Sequence, residues 1–156
     1  MSALISHIRA KVPGVTLRTT FITGFPGETE EQFEELAEFA KEINFQRLGC
    51  FAYSQEEGTP AAKMPGQLDD DVKQQRADII MEHQQQVMAD YCESLLDTDI
   101  EVLVEGFSKR SQEDMYGRTS QYKTVVFPRE GRHIGELVKV EIMEASAATL
   151  KGKIAK

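Results

Sequence analysis

At Asp97 the hydrophobic pattern of this 156-residue chain changes period, and that switch limits what it can fold into. Before it, apolar residues fall on helical stripes separated by short buried runs. After it, Ile100, Val102 and Val104 alternate with Glu101 and Glu105 until Gly106 ends the run. Met115 to Thr119, Lys123 to Phe127, Leu137 to Met143 and Thr149 to Ile154 are further short β candidates between turns. About five short strands in some 60 residues fit a small antiparallel, OB-like barrel. The expected domains are therefore residues 1–96, α/β in character, and residues 97–156, all-β.

The first domain reads helix, strand, helix, strand. Leu4, Ile5 and Ile8 share a helical face that ends at Pro13-Gly14. Leu17 to Ile22 is rich in β-branched and apolar residues on both faces, as expected of a parallel strand covered on both sides. Thr29-Glu30-Glu31-Gln32 has the spacing of a capping box, with acids where the helix dipole favours them. Phe33, Leu36, Ala37, Ala40 and Ile43 form the stripe of the helix that follows, and Leu48 to Tyr53 is a second buried strand. After a loop to about Asp69, the pattern predicts a long helix over 70–95. Its expected inward face is Val72, Ile79, Ile80, Val87, Tyr91 and Leu95, with Gln84-Gln85-Gln86 on a solvated face.

Charge separates the same two parts. Of the net −8, all lies in the first: through Leu96 there are 16 acidic and 8 basic residues, and from Asp97 onward 10 of each. The acidity of the whole therefore says nothing against a basic partner or nucleic acid at the barrel. No apolar run approaches the ~20 residues of a membrane span, and no basic start precedes an apolar signal segment. A cytoplasmic protein without membrane partner is expected. Cys50 and Cys92 are too few for a disulfide framework or a metal pattern and read as reduced thiols. His7, His83 and His133 lack ligand spacing. No catalytic and no metal-ligating set can be assigned.

Two turns stand out. Gly24-Phe25-Pro26-Gly27-Glu28 lies between a strand and a capped helix, and Tyr53-Ser54-Gln55-Glu56-Glu57-Gly58 follows the next strand. Ligands in α/β folds bind at the carboxyl ends of strands, where glycines let backbone approach them. The alternative for the first is a tight structural turn in which Glu28 stabilises the helix start. Arg18, on an otherwise apolar strand, is either an internal partner for a carboxylate or a contact to an anionic ligand. Glu56 and Glu57 could act as acid–base groups, though no partner base is visible. In the barrel, Lys109, Arg110, Arg118, Lys123, Arg129 and Arg132 face three acids in the same window, with Tyr116, Tyr122 and Phe127 interleaved. This fits RNA binding through phosphate contacts and base stacking, and equally an ordinary soluble β surface.

The segments Leu17-Arg18-Thr19-Thr20-Phe21-Ile22-Thr23-Gly24-Phe25-Pro26-Gly27-Glu28 and Cys50-Phe51-Ala52-Tyr53-Ser54-Gln55-Glu56-Glu57-Gly58-Thr59-Pro60 resemble radical S-adenosylmethionine (SAM) methylthiotransferases. The stretch from Glu101 through Tyr116-Gly117-Arg118-Thr119 to Leu150-Lys151-Gly152 resembles their TRAM domain. The resemblance implies the C-terminal portion of a partial (β/α)6 radical-SAM barrel, followed by a five-stranded antiparallel TRAM barrel. It implies a SAM-facing edge at Arg18, Ile22, Gly24, Phe51, Ala52 and Tyr53. Against the general G-x-I-x-G-x-x-E pattern, Thr20 replaces the first glycine and the acid falls one position late, at Glu28.

The resemblance further implies two [4Fe–4S] clusters and SAM in the full-length enzyme, which would add a methylthio group to an unactivated carbon. The C-x-x-x-C-x-x-C loop and the further cysteine triad that hold such clusters are absent, and clusters need thiolates. The expectation is a C-terminal fragment, separated from the N-terminal part of the same enzyme, with no cofactor and no SAM cleavage of its own. The first part is similar to the RimO-like branch, which modifies an aspartate of a small-subunit ribosomal protein. The tail, through Ser108-Lys109-Arg110-Ser111 and Val125-Val126-Phe127, is similar to the MiaB-like branch, which modifies adenosine in tRNA. The implied partner of the TRAM domain is the ribosomal protein or tRNA, with Lys109, Arg110, Arg118, Lys123, Arg129 and Arg132 as its contacts. A stand-alone RNA- or protein-binding module is the alternative.

Overall fold

The structure, a computed structural model, describes residues 1–155. It divides into two compact units, Met1–Val87 and Met88–Lys156.

The first unit runs α1 (Ser2–Lys11), β1 (Arg18–Thr23), α2 (Glu30–Ile43), β2 (Arg47–Ala52), a short 3-10 turn (Ala61–Lys63) and the first turns of α3 (Asp70–Glu93). β1 and β2 pair in parallel, Ile22 opposite Phe51 and Thr23 opposite Ala52, as the helix–strand alternation requires. Thr29 caps α2 in a full capping box: its side chain accepts from the Gln32 amide, and the Gln32 side chain accepts from the Thr29 amide. Phe33, Ala40 and Ile43 then face a core of Ile5, Phe45, Leu48, Cys50, Ala77 and Ile80. Phe21 and Phe39 each pack edge to face on Phe45 beside it and are tilted against each other, with ring centroids 6.0–6.3 Å apart.

Two expectations fail here. The sheet has a single covered face: Thr23, Leu48 and Cys50 are buried, while Arg18, Thr20, Ile22, Arg47 and Phe51 are exposed on the other. The apolar residues on both sides of β1 therefore do not mean that both sides are covered. On α3, the inward positions within this unit are Lys73, Arg76, Ala77, Ile80 and Gln84, not Val72 and Ile79, which are exposed. Gln84 is not a solvated residue; its amide donates to the Gln46 carbonyl. Positions 73, 76, 77, 80 and 84 have helical spacing, but three of their side chains are polar, so an apolar-stripe reading misses the face.

The second unit contains the end of α3 and a closed barrel of β3 (Asp99–Phe107), β4 (Asp114–Arg118), β5 (Thr124–Pro128), β6 (Leu137–Ala145) and β7 (Thr149–Ile154), in the order β3-β4-β5-β7-β6. The barrel is mixed rather than wholly antiparallel: β5 and β7 run parallel, from Thr124 opposite Thr149 to Val126 opposite Lys151. Every other pair is antiparallel. Alternate residues fill the interior, with Val102, Val104, Met115, Val125, Phe127, Val138, Val140, Ile142 and Leu150 around Cys92. Gly117 is needed where strands meet closely, since a Cβ there would lie 2.2 Å from the Leu103 carbonyl oxygen. Closure removes every free strand edge, so partners of this barrel must use side chains or loops.

Candidate functional site

In the first unit the two strand-end turns come together. The Tyr53 amide donates to the Thr23 carbonyl at 2.8 Å, and the Phe25 and Tyr53 rings meet edge to face at 5.4 Å. Ile22 and Phe51, neighbours in the sheet register, project from the uncovered face and are 57% and 63% exposed. A side-by-side aliphatic and aromatic pair at the carboxyl end of a parallel sheet can hold the flat apolar face of a ligand. Ala52 is partly buried on the covered side, and Gly24 is buried just past the strand.

Gly24 is held on several sides. Its φ of +75° is left-handed, and a Cβ would lie 2.4 Å from the Lys73 Cγ, so a bare backbone is needed for contact with α3. Its amide donates to Glu28 Oε1 at 2.9 Å, so this amide is already engaged within the turn. Glu28 Oε1 also accepts from Arg76 at 2.6 Å, and the other end of the Arg76 guanidinium reaches Glu30 Oε2 at 2.6 Å. Burial works to lower the Arg76 pKa, but hydrogen bonds and attraction from Glu30 and Glu28 win and raise it. Farther along, the Gly27 amide donates to the Gly66 carbonyl at 2.8 Å. The turn is thus preorganised by α3 and by the loop before it.

Lys73 is the second buried cation here. Its side chain is 4% exposed, its stem packs on Gly24, its ammonium pairs with the exposed Asp70 at 2.9 Å and lies 5.6 Å from the Tyr53 ring centre. Behind the turn, Thr23 Oγ1 donates to the Lys73 carbonyl and lies 3.9 Å from Cys50 Sγ. Burial pushes the Cys50 thiol up, against a smaller lowering by the Thr23 hydroxyl. Sequence reasoning misses Lys73 and Arg76; their three-residue spacing on the path of an apolar stripe is the available signal.

Arg18 stands at the other end of β1, exposed and away from the turns. In the second turn, Glu56 and Glu57 are exposed, and the Ser54 hydroxyl donates to Glu56 Oε1 at 2.7 Å. The loop beyond is self-tied, with Gln55 donating to the Ala62 carbonyl and Gln67 to those of Ala61 and Met64.

The barrel separates the six basic residues. Lys109 and Arg110 are exposed in the β3–β4 loop. Arg129 and Arg132 are exposed in the segment after β5, where the Arg129 amide donates to the Glu113 carbonyl and its guanidinium lies 5.2 Å from the Phe107 ring centre. These belong to one end of β4. At its other end, Arg118 stacks on Tyr122 at 4.0 Å and has its Nε 3.1 Å from Glu105 Oε2, without hydrogen-bond alignment. Lys123 is buried: its ammonium donates to the Ala147 carbonyl at 2.8 Å and ties the β4–β5 turn to the β6–β7 turn. A buried, bonded ammonium is a structural tie, and it leaves Lys123 without the exposure a phosphate contact needs.

Among the described residues no helix is long and apolar enough to cross a membrane, and no group of three His, Cys, Asp or Glu side chains could hold a metal ion. Cys50 and Cys92 are buried in the cores of different units.

Comparison with known proteins follows the same division. A family model for the TRAM domain matches residues 97–155. The ribosomal protein uS12 methylthiotransferase RimO of Geotalea uraniireducens is 41% identical over 157 residues, covering 97% of this chain and 35% of the relative. That of Anaeromyxobacter sp. strain Fw109-5 is 42% identical over 156 residues, covering 97% and 33%. The tRNA-2-methylthio-N(6)-dimethylallyladenosine synthase of Alkaliphilus oremlandii is 38% identical over 152 residues, covering 97% and 32%. The chain spans about a third of the length of the curated relatives it matches.

Proposed function

Because this chain corresponds over 97% of its length to the C-terminal part of RimO-like methylthiotransferases, with a TRAM domain at residues 97–155, we propose that it provides two parts of such an enzyme. The α/β unit supplies one wall of the cofactor site, and the barrel recognises the substrate. The reaction of the whole enzyme is methylthiolation of an aspartate in the small-subunit ribosomal protein uS12, in the cytoplasm where that protein is made.

The observation that carries this reading is the Ile22–Phe51 pair, exposed on the bare face of the sheet beside a turn fixed by α3. That face has the composition of a ligand wall, and the exposed rings and aliphatic groups suit the adenine and ribose of SAM. When bound, SAM would supply the reactive carbon chemistry. The residues of this chain orient it: Ile22 and Phe51 give an apolar surface, Tyr53 and Phe25 brace the rim, and Gly24 keeps backbone low at the strand end. The donor set does not fit an iron–sulfur cluster, since the two thiols are buried in separate cores. The two clusters of the reading are assigned to residues outside these 156.

A second reading, tRNA adenosine methylthiolation, is favoured by the tRNA-modifying relative and by the exposed Lys109, Arg110, Arg129 and Arg132 at one end of the barrel. Mass analysis of uS12 and of tRNA from cells lacking and then re-expressing the whole gene separates the two. A methylthio group restored on the protein supports the first reading; one restored only on tRNA supports the second.

A further inference from the structure

Arg76 has a geometry that fold stability alone does not require. Its side chain is 7% exposed, and its planar guanidinium bridges two carboxylates from different elements. One is Glu28, at the end of the turn after β1; the other is Glu30, in the first turn of α2, each at 2.6 Å. A longer contact of 3.4 Å reaches the Glu28 carbonyl, and the guanidinium lies 5.2 Å from the Phe33 ring centre. A buried ion pair adds little stability over well-packed apolar residues of similar volume. What a forked guanidinium does supply is a fixed spacing between the groups it bridges, which the point charge of a lysine does not.

The bridged carboxylate in turn holds the strand end. Glu28 Oε1 accepts from the Gly24 amide at 2.9 Å as well as from Arg76, so Gly24 is linked to the guanidinium through one shared oxygen. Three residues earlier on the same helix, Lys73 packs on Gly24, and its carbonyl accepts from the Thr23 hydroxyl at 3.3 Å. The two residues clasp positions 23, 24 and 28 from the covered side of the sheet, where Ala77 and Ile80 of α3 join Leu48 and Cys50 in the core. Ile22 and Phe51 lie on the opposite, bare face. Arg76 therefore stands behind the ligand wall and not in it. Its influence on a ligand at the bare face runs through the position of the β1 end.

We propose that Arg76 is a positioning residue for SAM, its bridge between Glu28 and Glu30 setting the strand end on which Ile22 and Gly24 meet the cofactor. A binding wall must be held to within about 0.5 Å of its productive geometry, and this clasp holds the β1 end from behind without touching the ligand. The role rests on the reading of the α/β unit as a SAM wall, and the test separates the two.

The enzyme expressed from the whole gene is titrated, well below its melting temperature, with S-adenosylhomocysteine, which carries the adenosine of SAM without its transferable methyl. Arg76→Lys keeps the positive charge and loses the fork. Glu30→Gln, at an acid whose side chain is 65% exposed, weakens one arm of the bridge and keeps the fold. Ile80→Val trims the same helix inside the core and serves as the comparison that lowers the melting temperature alone. Phe51→Asp reports on the wall itself. The expected losses of probe affinity are about tenfold for Arg76→Lys and about threefold for Glu30→Gln, with none for Ile80→Val. In turnover, the Arg76→Lys loss should fall on KM for SAM and not on kcat. If Arg76→Lys and Glu30→Gln bind the probe as wild type does while Phe51→Asp binds it weakly, the positioning role is overturned and the SAM wall stands. An equal loss in Ile80→Val and Arg76→Lys would make Arg76 a stabilising residue only and overturn the role as well. Wild type that fails to bind the probe, or Phe51→Asp that binds it unchanged, would overturn the wall reading and the positioning role with it.

Discussion

Arg76 and Glu28, 48 positions apart in the chain, meet at 2.6 Å with both side chains largely buried. This pair joins the long helix α3 to the turn at the end of β1, and the Gly24 amide shares the same carboxylate oxygen. The turn's shape is therefore set by a residue far away in sequence, and its stability should depend on that residue.

Arg76→Ala leaves a partly buried carboxylate without its cation. Breaking such a pair costs about 3 kcal/mol, and the exposed Glu30 end of the guanidinium adds little to that. Urea titration of the chain checks the loss. A double-mutant cycle with Glu28→Gln should give a coupling of about 1–3 kcal/mol; additive effects would show that the pair does not act as a unit.

Gly24→Ala places a methyl 2.4 Å from the Lys73 Cγ at a left-handed backbone position. A reduction in stability of about 2 kcal/mol is expected. Adding Lys73→Ala should recover only part of it, because it removes the Cγ but leaves the residue-73 Cβ 2.8 Å from the new methyl and the left-handed conformation unchanged. Full recovery would mean that φ contributes nothing.

Lys123→Met removes the bond to the Ala147 carbonyl. The expected result is a drop of about 1 kcal/mol in stability with no change in the salt dependence of any RNA binding. Lys109→Glu and Arg110→Glu should do the reverse, leaving stability unchanged and, where RNA binds as a single strand, lowering the salt slope by about 0.7 for each phosphate no longer neutralised. A salt slope that falls in Lys123→Met would return this residue to the phosphate-binding set.

Alkaline pH should weaken the fold through Cys50 and Tyr91, whose pKa values burial raises above the ordinary 9.0 and 10.0. Above the unfolded value the unfolded chain has lost a proton that the folded chain still holds. Stability is thus whole below about pH 9 and falls as pH rises, first through Cys50 and then through Tyr91. Denaturant midpoints measured from about pH 7 to about pH 10.5 check the sign, and Cys50→Ala should flatten the earlier part of the decline. On the acid side, Glu31 is lowered by backbone and Thr29 hydrogen bonds. Its small contribution is present above its unfolded value, near 4.5, and disappears as pH falls through the folded one.

The sequence makes some of this architecture legible and hides the rest for identifiable reasons. The capping box at Thr29 is a local pattern, four residues long, and forms as read. The strands of the barrel alternate cleanly because one face is core and the other solvent. Alternation carries no direction, however, so the parallel pairing of β5 with β7 cannot be read from it. An apolar stripe misplaces the inward face of α3 because Lys73 and Arg76 are buried through partners 46 or more positions away, Glu28, Glu30 and Gly24, which no helical window contains. The resemblance to SAM enzymes implies a ligand edge at Ile22 and Phe51, and the structure leaves both exposed at the end of the sheet. Their apolar character alone would put them in a core, and the bare sheet face is what distinguishes the two. Among the basic residues, spacing does not rank exposure, and Lys123 is indistinguishable in sequence from Lys109.

The most direct test of the proposed function is a chimera in which this chain replaces the matching third of the Geotalea uraniireducens relative, reconstituted with iron and sulfide and assayed on uS12 and on tRNA. A methylthio group on uS12 is predicted, together with a raised KM for SAM and little change in melting temperature when Ile22 and Phe51 are both changed to Asp. A folded, cluster-loaded chimera that modifies tRNA and leaves uS12 untouched, or whose KM for SAM ignores Ile22 and Phe51, would contradict it.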